Sequence, residues 1–166
     1  SMAAALRTAG VSFQIIDAQV NSPSFSLEQV QARLLQAITQ AGPGCLVGFG
    51  TFVWNDAEVR ALTHSIQDTG AEVVLGGPQI SYMAKGQLER TYPLVRYFVR
   101  GQGEMAMVSL ACGTTPDDCG IHIAGTPDLG RKADQQHSLG NSARLPVQVL
   151  VLPAPRARYT SQAPMV

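Results

Sequence analysis

Three glycine-rich loops directly follow apolar segments of the sequence, and they are the features best suited to binding a ligand. The loops are residues 48–51 (GFGT), 76–78 (GGP) and 101–104 (GQGE). A glycine at the end of a strand lets the chain turn sharply and lets a ligand approach the main chain closely. Any one loop could be a simple turn, but three loops at one edge of a sheet would favour a large, flat ligand.

Aromatic and polar side chains beside these loops have two possible roles each. Trp54, the only tryptophan in the chain, is either a core residue or an aromatic group at the edge of a ligand or a partner domain. Asn55 is expected to cap a helix first and to contact a ligand second. Glu104 lies at the start of a helix, where its charge suits the helix dipole, so a structural role is as compatible with the sequence as a binding role.

The sequence contains no recognisable arrangement of catalytic or metal-binding residues. None of the three histidines has a serine, cysteine or carboxylate at a spacing typical of catalysis, and the three cysteines lack the close pairs of a metal site. We therefore predict no catalytic residue and no metal bound by protein ligands, and we expect reduced thiols in a cytoplasmic protein. The residues concerned are His64, His122, His137, Cys45, Cys112 and Cys119.

The composition narrows the range of partners. The formal net charge is zero and 14% of the residues are charged, which is a low fraction for an isolated soluble domain, where about a quarter is usual. A surface with few charges is often covered in part by another domain or subunit. The chain has no run of Lys and Arg, which argues against nucleic acid, and no apolar stretch long enough to span a membrane.

Short apolar segments alternate with segments of helical period, which is typical of a doubly wound α/β domain with a mostly parallel sheet. The segment CLVGF at residues 45–49 is apolar on nearly every residue, as a strand buried on both faces should be. The pattern predicts a Rossmann-like, flavodoxin-like fold. Strands are predicted at residues 11–17, 45–49, 71–75, 95–99 and 120–124. Helices are predicted at residues 26–41, 55–69 and 104–112, and a weaker helix, interrupted by Gly86, at residues 81–92.

Three motifs in this order, CLVGFGTFVWN, VVLGGPQISY and YFVRGQGE, resemble the cobalamin-binding domain of cobalamin-dependent radical S-adenosylmethionine (SAM) enzymes. That family reads V-G-F-S-[TC]-[YF]-x-W-N, V-x-G-G-P-x-x-[ST] and D-Y-[VI]-V-x-G-E-G-E, so Gly50 replaces a serine and Gln102 a glutamate. The resemblance implies a cobalamin bound over the strand ends. It implies as binding residues Gly50, Thr51, Phe52, Trp54, Asn55, Gly76, Gly77, Pro78, Gln79, Gly101, Gln102, Gly103 and Glu104.

The resemblance also implies how the cofactor is held and which partner completes the enzyme. Its dimethylbenzimidazole tail would be displaced from cobalt and inserted into the domain (base-off), and the D-x-H-x-x-G motif that supplies a histidine ligand is absent. The C-x-x-x-C-x-x-C motif is absent too, so the iron–sulfur cluster and SAM would belong to a radical SAM catalytic domain, in cis or in trans. The chain would be the non-catalytic, cobalamin-binding module of a methyltransferase-type enzyme.

Two other functions remain open at this stage. One is a flavodoxin-like oxidoreductase that binds a flavin or a nucleotide at the same strand ends. The phosphate-binding loop G-x-x-x-x-G-K-[ST] and the full G-x-G-x-x-G fingerprint are both missing, which counts against it. The other is a degenerate fragment that no longer binds a ligand.

A last strand is predicted near the C-terminal end of the sequence. Compared with the family, the chain begins inside the first βαβ unit, so the family's first strand would be missing and its position in the middle of the sheet would be empty. We predict that residues 147–152 (VQVLVL) pair in the sheet, in this slot, either from the same chain or by strand exchange in a homodimer. The expected organisation is an α/β domain at residues 1–125, followed at residues 126–166 by a polar connection, this strand and a flexible terminus.

Overall fold

The computed structural model describes residues 1–114, 120–130 and 147–155, and it contains an α/β domain. Residues 131–146, which form most of the predicted polar connection, and the terminus from residue 156 lie outside the described residues, as do Cys119 and His137. The helices are α1 (Met2–Thr8), α2 (Leu27–Ala41), α3 (Asp56–Ser65), α4 (Pro78–Tyr82), α5 (Leu88–Thr91) and α6 (Gly103–Ala111). The strands are β1 (Gln14–Ala18), β2 (Leu46–Gly50), β3 (Glu72–Gly76), β4 (Tyr97–Val99), β5 (Ile121–Ile123) and β6 (Val147–Leu152).

The described strands form one sheet in the order β1-β6-β2-β3-β4-β5. β2, β3 and β4 pair in parallel, whereas β6 is antiparallel to both of its neighbours, so β1 runs in the same direction as β2. β5 adds an antiparallel edge. The predicted fold class is therefore confirmed: a Rossmann-like α/β sheet with a parallel centre.

Helices cover both faces of the sheet. Successive residues of a strand point to opposite faces, so neighbouring residues of one strand pack against different helices. In β2, Val47 and Phe49 contribute to the larger core cluster, which also contains residues of α2, α3, α4 and α5. Leu46 contributes to the cluster on the opposite face, with Leu6 of α1 and Leu110 of α6. Both faces of β2 are covered, which explains why its segment is apolar throughout.

The strand at residues 147–152 lies in the sheet, between β1 and β2, and it comes from the same chain. In its register Val149 is opposite Ile16 of β1 and Phe49 of β2. Val149 and Leu152 are fully buried. β6 therefore pairs along both edges and connects β1 to the rest of the sheet.

Three predicted boundaries were wrong. The helix expected at residues 81–92 begins earlier, at Pro78; its predicted interruption is confirmed, because Gly86, with a φ of 77°, lies between α4 and α5. The helix expected to reach residue 69 ends at Ser65, where the side-chain hydroxyls of Ser65 and Thr69 bond to backbone carbonyls and compete with helical bonding. The first strand begins at Gln14, three residues later than predicted.

The start of α2 agrees with the sequence pattern. The hydroxyl of Ser26 accepts a hydrogen bond of 3.3 Å from the backbone N–H of Gln29, as an N-cap should. Within the residues that the structure describes, none of the helices is both long enough and apolar enough to cross a membrane.

Candidate functional site

A cleft of about 260 Å³ opens at the carboxyl ends of the parallel strands, on the face of the sheet that α6 covers. Open α/β sheets bind ligands at this edge. Six glycines line the cleft, together with apolar side chains and two polar ones, Glu104 and Gln148. The lining residues are Met2, Gly48, Phe49, Gly50, Val74, Gly76, Gly77, Val99, Gly101, Gly103, Glu104, Met107, Gln148 and Leu150.

Glycines occupy several of the strand positions that line the cleft, so no side chain projects into it from Gly48, Gly50 or Gly76. Most described glycines have a positive φ and are needed for turns. The four described glycines without a positive φ all line the cleft: Gly48, Gly50, Gly76 and Gly103. Since their backbone does not require glycine, the small residue serves to leave room for neighbouring groups. The tip of Met107 lies above Gly48, and that of Met2 above Gly103.

The loop after β2 is fixed by backbone hydrogen bonds to the segment after β3. The N–H of Thr51 donates to the carbonyl of Gly76 at 2.7 Å, and the carbonyl of Thr51 accepts from the N–H of Gln79 at 3.2 Å. Gly77 lies so close that a Cβ there would be 2.7 Å from the Thr51 carbonyl oxygen, and its φ is 97°. Only glycine fits at this crossing of the two loops.

The side-chain amide of Asn55 stabilises the same loop. It is fully buried; its Oδ1 accepts from the N–H of Phe52 at 2.7 Å, and its Nδ2 donates to the carbonyl of Gly50 at 2.9 Å. Asn55 is the N-cap residue of α3, but its side chain makes no capping hydrogen bond. Asn55 therefore lies at the predicted N-cap position, but its side chain does not cap the helix, because both polar ends of the amide bond to the loop.

The hydroxyl oxygen of Thr51 is unusual in its surroundings. Thr51 is fully buried, and within the described residues its hydroxyl has no hydrogen-bond partner. Buried hydroxyls without a partner are uncommon in folded proteins. Thr51 does not line the cleft, although its neighbour Gly50 does.

The aromatic pair beyond this loop lies outside the core. The rings of Phe52 and Trp54 stack with centroids 4.6 Å apart, and Trp54 is 38% exposed. Val53, between them, is 79% exposed. None of the three lines the cleft. The exposure of Trp54 excludes the buried core position that the sequence left open and places the ring on the surface.

The loop after β4 is held by a buried ion pair that the sequence reasoning missed. Arg100 and Asp128 are joined at 2.9 Å with both side chains almost fully buried, and Arg100 also donates to the carbonyl of Met83 at 2.6 Å. The next residue, Gly101, donates its N–H to the hydroxyl of Ser81 at 3.1 Å. These bonds join the third glycine loop to α4.

The surroundings of Asp128 favour its charged form. Burial alone would raise the pKa of this carboxyl group, but hydrogen bonds from the backbone N–H groups of Gly86 and Gly130 and the guanidinium beside it stabilise the carboxylate. The net result is a pKa below the ordinary value.

Six of the thirteen residues implied by the resemblance line the cleft: Gly50, Gly76, Gly77, Gly101, Gly103 and Glu104. The other seven do not line it: Thr51, Phe52, Trp54, Asn55, Pro78, Gln79 and Gln102. Thr51 and Asn55 belong to the hydrogen-bonded loop after β2, and Gln79, in α4, donates its N–H to the carbonyl of Thr51. Sequence reasoning missed the walls, chiefly Met107 of α6 and Leu150 of β6. Gly48 belonged to the first glycine-rich loop, but the resemblance did not include it among the binding residues; the alternation of side chains along β2 was the signal that could have added it.

The described histidines lie outside the lining of the cleft. His64 is exposed on α3, and the ring of buried His122 lies 2.9 Å from a carboxylate oxygen of Glu89. Neither residue lines the cleft. Among the described residues there is no group of three His, Cys, Asp or Glu side chains that could hold a metal ion.

Comparison with known proteins gives one match. The family model "B12 binding domain" matches residues 1–111, which is most of the described α/β domain. No curated protein and no solved structure shows significant similarity. The family match covers 111 of the 166 residues and includes all three glycine loops. The chain belongs to the B12-binding domain family.

Proposed function

We propose that this chain binds cobalamin, places the nucleotide tail of the cofactor in the glycine-floored cleft, and has no catalytic activity by itself. The observation that carries the proposal is the position of Gly48, Gly50, Gly76 and Gly103. All four line one cleft although none has a backbone that requires glycine. The family match supplies the class of ligand for that cleft.

The size and chemistry of the cleft suit the tail rather than the corrin ring. A space of about 260 Å³ with mostly apolar walls can take a planar heteroaromatic base with part of its sugar. A corrin macrocycle is too large for it and would lie outside, over the strand ends. Glu104 and Gln148 are the lining side chains able to hydrogen-bond to the sugar.

A tail held in this cleft is separated from the cobalt, so the proposal includes the base-off form. Neither His64 nor His122 is placed to replace the tail as a cobalt ligand. His64 lies in the last turn of α3, away from the glycine loop that precedes this helix, and the buried ring of His122 is paired with Glu89. Bound cobalamin would supply a carrier for a methyl group. The residues of this chain would bind and orient it: the glycine floor sets the depth of the tail, and the loop held by Asn55 fixes the rim.

We propose further that a radical SAM catalytic domain, in cis or in trans, is the partner in a methyltransferase-type enzyme of the cytoplasm. Support comes from the three linked motifs of the sequence. The exposed residues Val53 and Trp54 follow the first of these motifs and offer an apolar contact. The test is gel filtration of the cobalamin-loaded chain with a cobalamin-dependent radical SAM catalytic domain lacking its own B12-binding domain. Separate elution at micromolar concentration would contradict this partner.

Titration with hydroxocobalamin, followed by gel filtration and a visible spectrum of the protein peak, tests the binding itself. We expect corrin absorbance with the protein and a base-off spectrum. Gly76→Leu should abolish retention of the cofactor while the chain stays folded, because a Cβ at Gly76 meets only ordinary contacts with Val99, the nearest at 3.7 Å. Ala57→Leu, on the exposed surface of α3, is the matched control.

Absence of corrin absorbance from the wild-type peak would contradict the proposal. A parallel titration with flavin mononucleotide covers the flavodoxin-like alternative. Tight binding of the flavin, with no retention of cobalamin, would replace the proposal by that alternative.

A further inference from the structure

Met107 lines the cleft, and the tip of its side chain lies above Gly48. Its terminal methyl carbon is 3.2 Å and its sulfur 3.7 Å from the position that a Cβ on Gly48 would take. Met107 lies on α6, lines the cleft and is 4% exposed. The space that Gly48 leaves open is therefore filled by the tip of this one side chain.

The identity of Gly48 has no explanation within its own strand. It lies in the middle of β2, opposite Val74 of β3 and Leu150 of β6, and its φ is not positive. A glycine inside a strand weakens the sheet and often marks a site where another group must come close. Here the group above Gly48 is a methionine tip.

A methionine is well suited to filling such a space temporarily. Its side chain is unbranched with three rotatable bonds, so its tip can move without disturbing the helix that carries it. The sulfur and the terminal methyl also make favourable contacts with aromatic rings. A planar ring entering the cleft could displace the tip from the floor and then pack against it.

We propose that Met107 is a movable plug that sets the depth of the cleft, so that the base of the cobalamin tail takes the space above Gly48 when the side chain moves aside. This inference rests on the proposed function and makes it more specific. Met107 would determine selectivity for corrinoids that carry a nucleotide base. Cobinamide, which has the corrin ring but no nucleotide, would not displace the plug.

The test compares two methionines of the same helix. Met107→Ile replaces the plug by a β-branched side chain with essentially one helical χ1 rotamer, so the side chain can no longer move aside as methionine can. Met105→Ile makes the same change at a side chain that is 59% exposed. We expect Met107→Ile to weaken cobalamin binding about tenfold, the size of a core overpacking effect, and to leave cobinamide binding unchanged. Met105→Ile should change neither affinity.

A second measurement uses the wild-type chain and so does not depend on how a variant folds. The chain has five methionines, and labelling of their methyl carbons gives one NMR signal for each. Met107→Leu assigns the signal of Met107 by removing it. We expect saturating hydroxocobalamin to shift that signal by the ring current of the base, and cobinamide to leave it in place.

The outcomes separate this inference from the function on which it rests. If the wild type binds cobalamin but Met107→Ile has the same affinity and the Met107 signal does not move, the plug is wrong and the binding function stands. Equal shifts with cobinamide and cobalamin would also overturn the plug. If the wild type binds neither corrinoid, both proposals fail.

Discussion

The side-chain amide of Asn55 donates a hydrogen bond of 2.9 Å to the backbone carbonyl of Gly50, a residue that lines the cleft. The other end of the same amide accepts from the N–H of Phe52 at 2.7 Å. One buried side chain thus fixes both ends of the loop that forms the rim. It acts on the cleft through the main chain, without lining the cleft itself.

Asn55→Ala should therefore lower both stability and cofactor affinity. Removing the amide leaves the N–H of Phe52 and the carbonyl of Gly50 without their partner, at a cost of about 1–3 kcal/mol for each group that stays buried. Chemical denaturation measures the stability, and hydroxocobalamin titration the affinity. Asn21→Ala, at an exposed position, is the control. Equal stability of the two variants would show that the Asn55 bonds do not hold the loop.

Gly77→Ala should be far more damaging than Gly86→Ala. Both glycines have a positive φ, 97° and 77°, so alanine introduces backbone strain at either position. Gly77 also has a ψ of 179°, a conformation that is essentially restricted to glycine and costs other residues on the order of 1–3 kcal/mol. A Cβ at Gly77 would also lie 2.7 Å from the carbonyl oxygen of Thr51, whereas nothing lies within 4 Å of one at Gly86. The difference in unfolding free energy between the two variants measures this clash together with the backbone strain specific to Gly77. Similar losses would mean that the two loops can separate without cost.

The parallel centre of the sheet could be predicted because each signal is local. The segment that became β2 is apolar throughout, and its glycines mark the following loop, so both strand and loop can be read from adjacent residues. The same holds for Ser26, whose cap bond reaches only three residues along the chain. The edge at which the loops meet follows from the parallel order of the strands.

The walls of the cleft could not be predicted in the same way. Met107 and Gly48 are 59 positions apart in sequence, and their contact depends on how α6 lies across the sheet. The Arg100–Asp128 pair is equally non-local. The role of Asn55 was mistaken because the position before a helix favours a cap, and only the folded loop shows that both ends of the amide have other partners.

The Arg100–Asp128 pair should make stability depend on pH in the acid range. The folded state lowers the pKa of Asp128 below its ordinary value of 3.8, so the unfolded state binds the proton more readily as the pH falls. The stabilisation from Asp128 is therefore complete above about pH 5 and is lost as the pH falls through the folded-state pKa.

Asp128→Asn tests this dependence. It leaves Arg100 buried without a counter-charge, and we expect a loss of about 3 kcal/mol at pH 7. Melting temperatures from pH 7 down to pH 3 should show the gap between wild type and Asp128→Asn narrowing at the acid end. Asp17→Asn, at an exposed position, is the control and should run parallel to the wild type. A gap that stays constant with pH would contradict the assignment.

Strand β6 should be essential to the fold, because it supplies the pairing for both β1 and β2. Val149 lies at its centre, fully buried, opposite Ile16 on one side and Phe49 on the other. Val149→Asp places a carboxylate without a partner in the core on one face of the sheet. Burying an unpaired carboxylate costs several kcal/mol, which is enough to unfold a domain of ordinary stability. The neighbouring variant Gln148→Asp is the matched control, because its side chain is exposed. We expect circular dichroism to show a folded Gln148→Asp and an unfolded or aggregated Val149→Asp. A Val149→Asp variant that melts at the wild-type temperature would mean that β1 and β2 do not depend on β6.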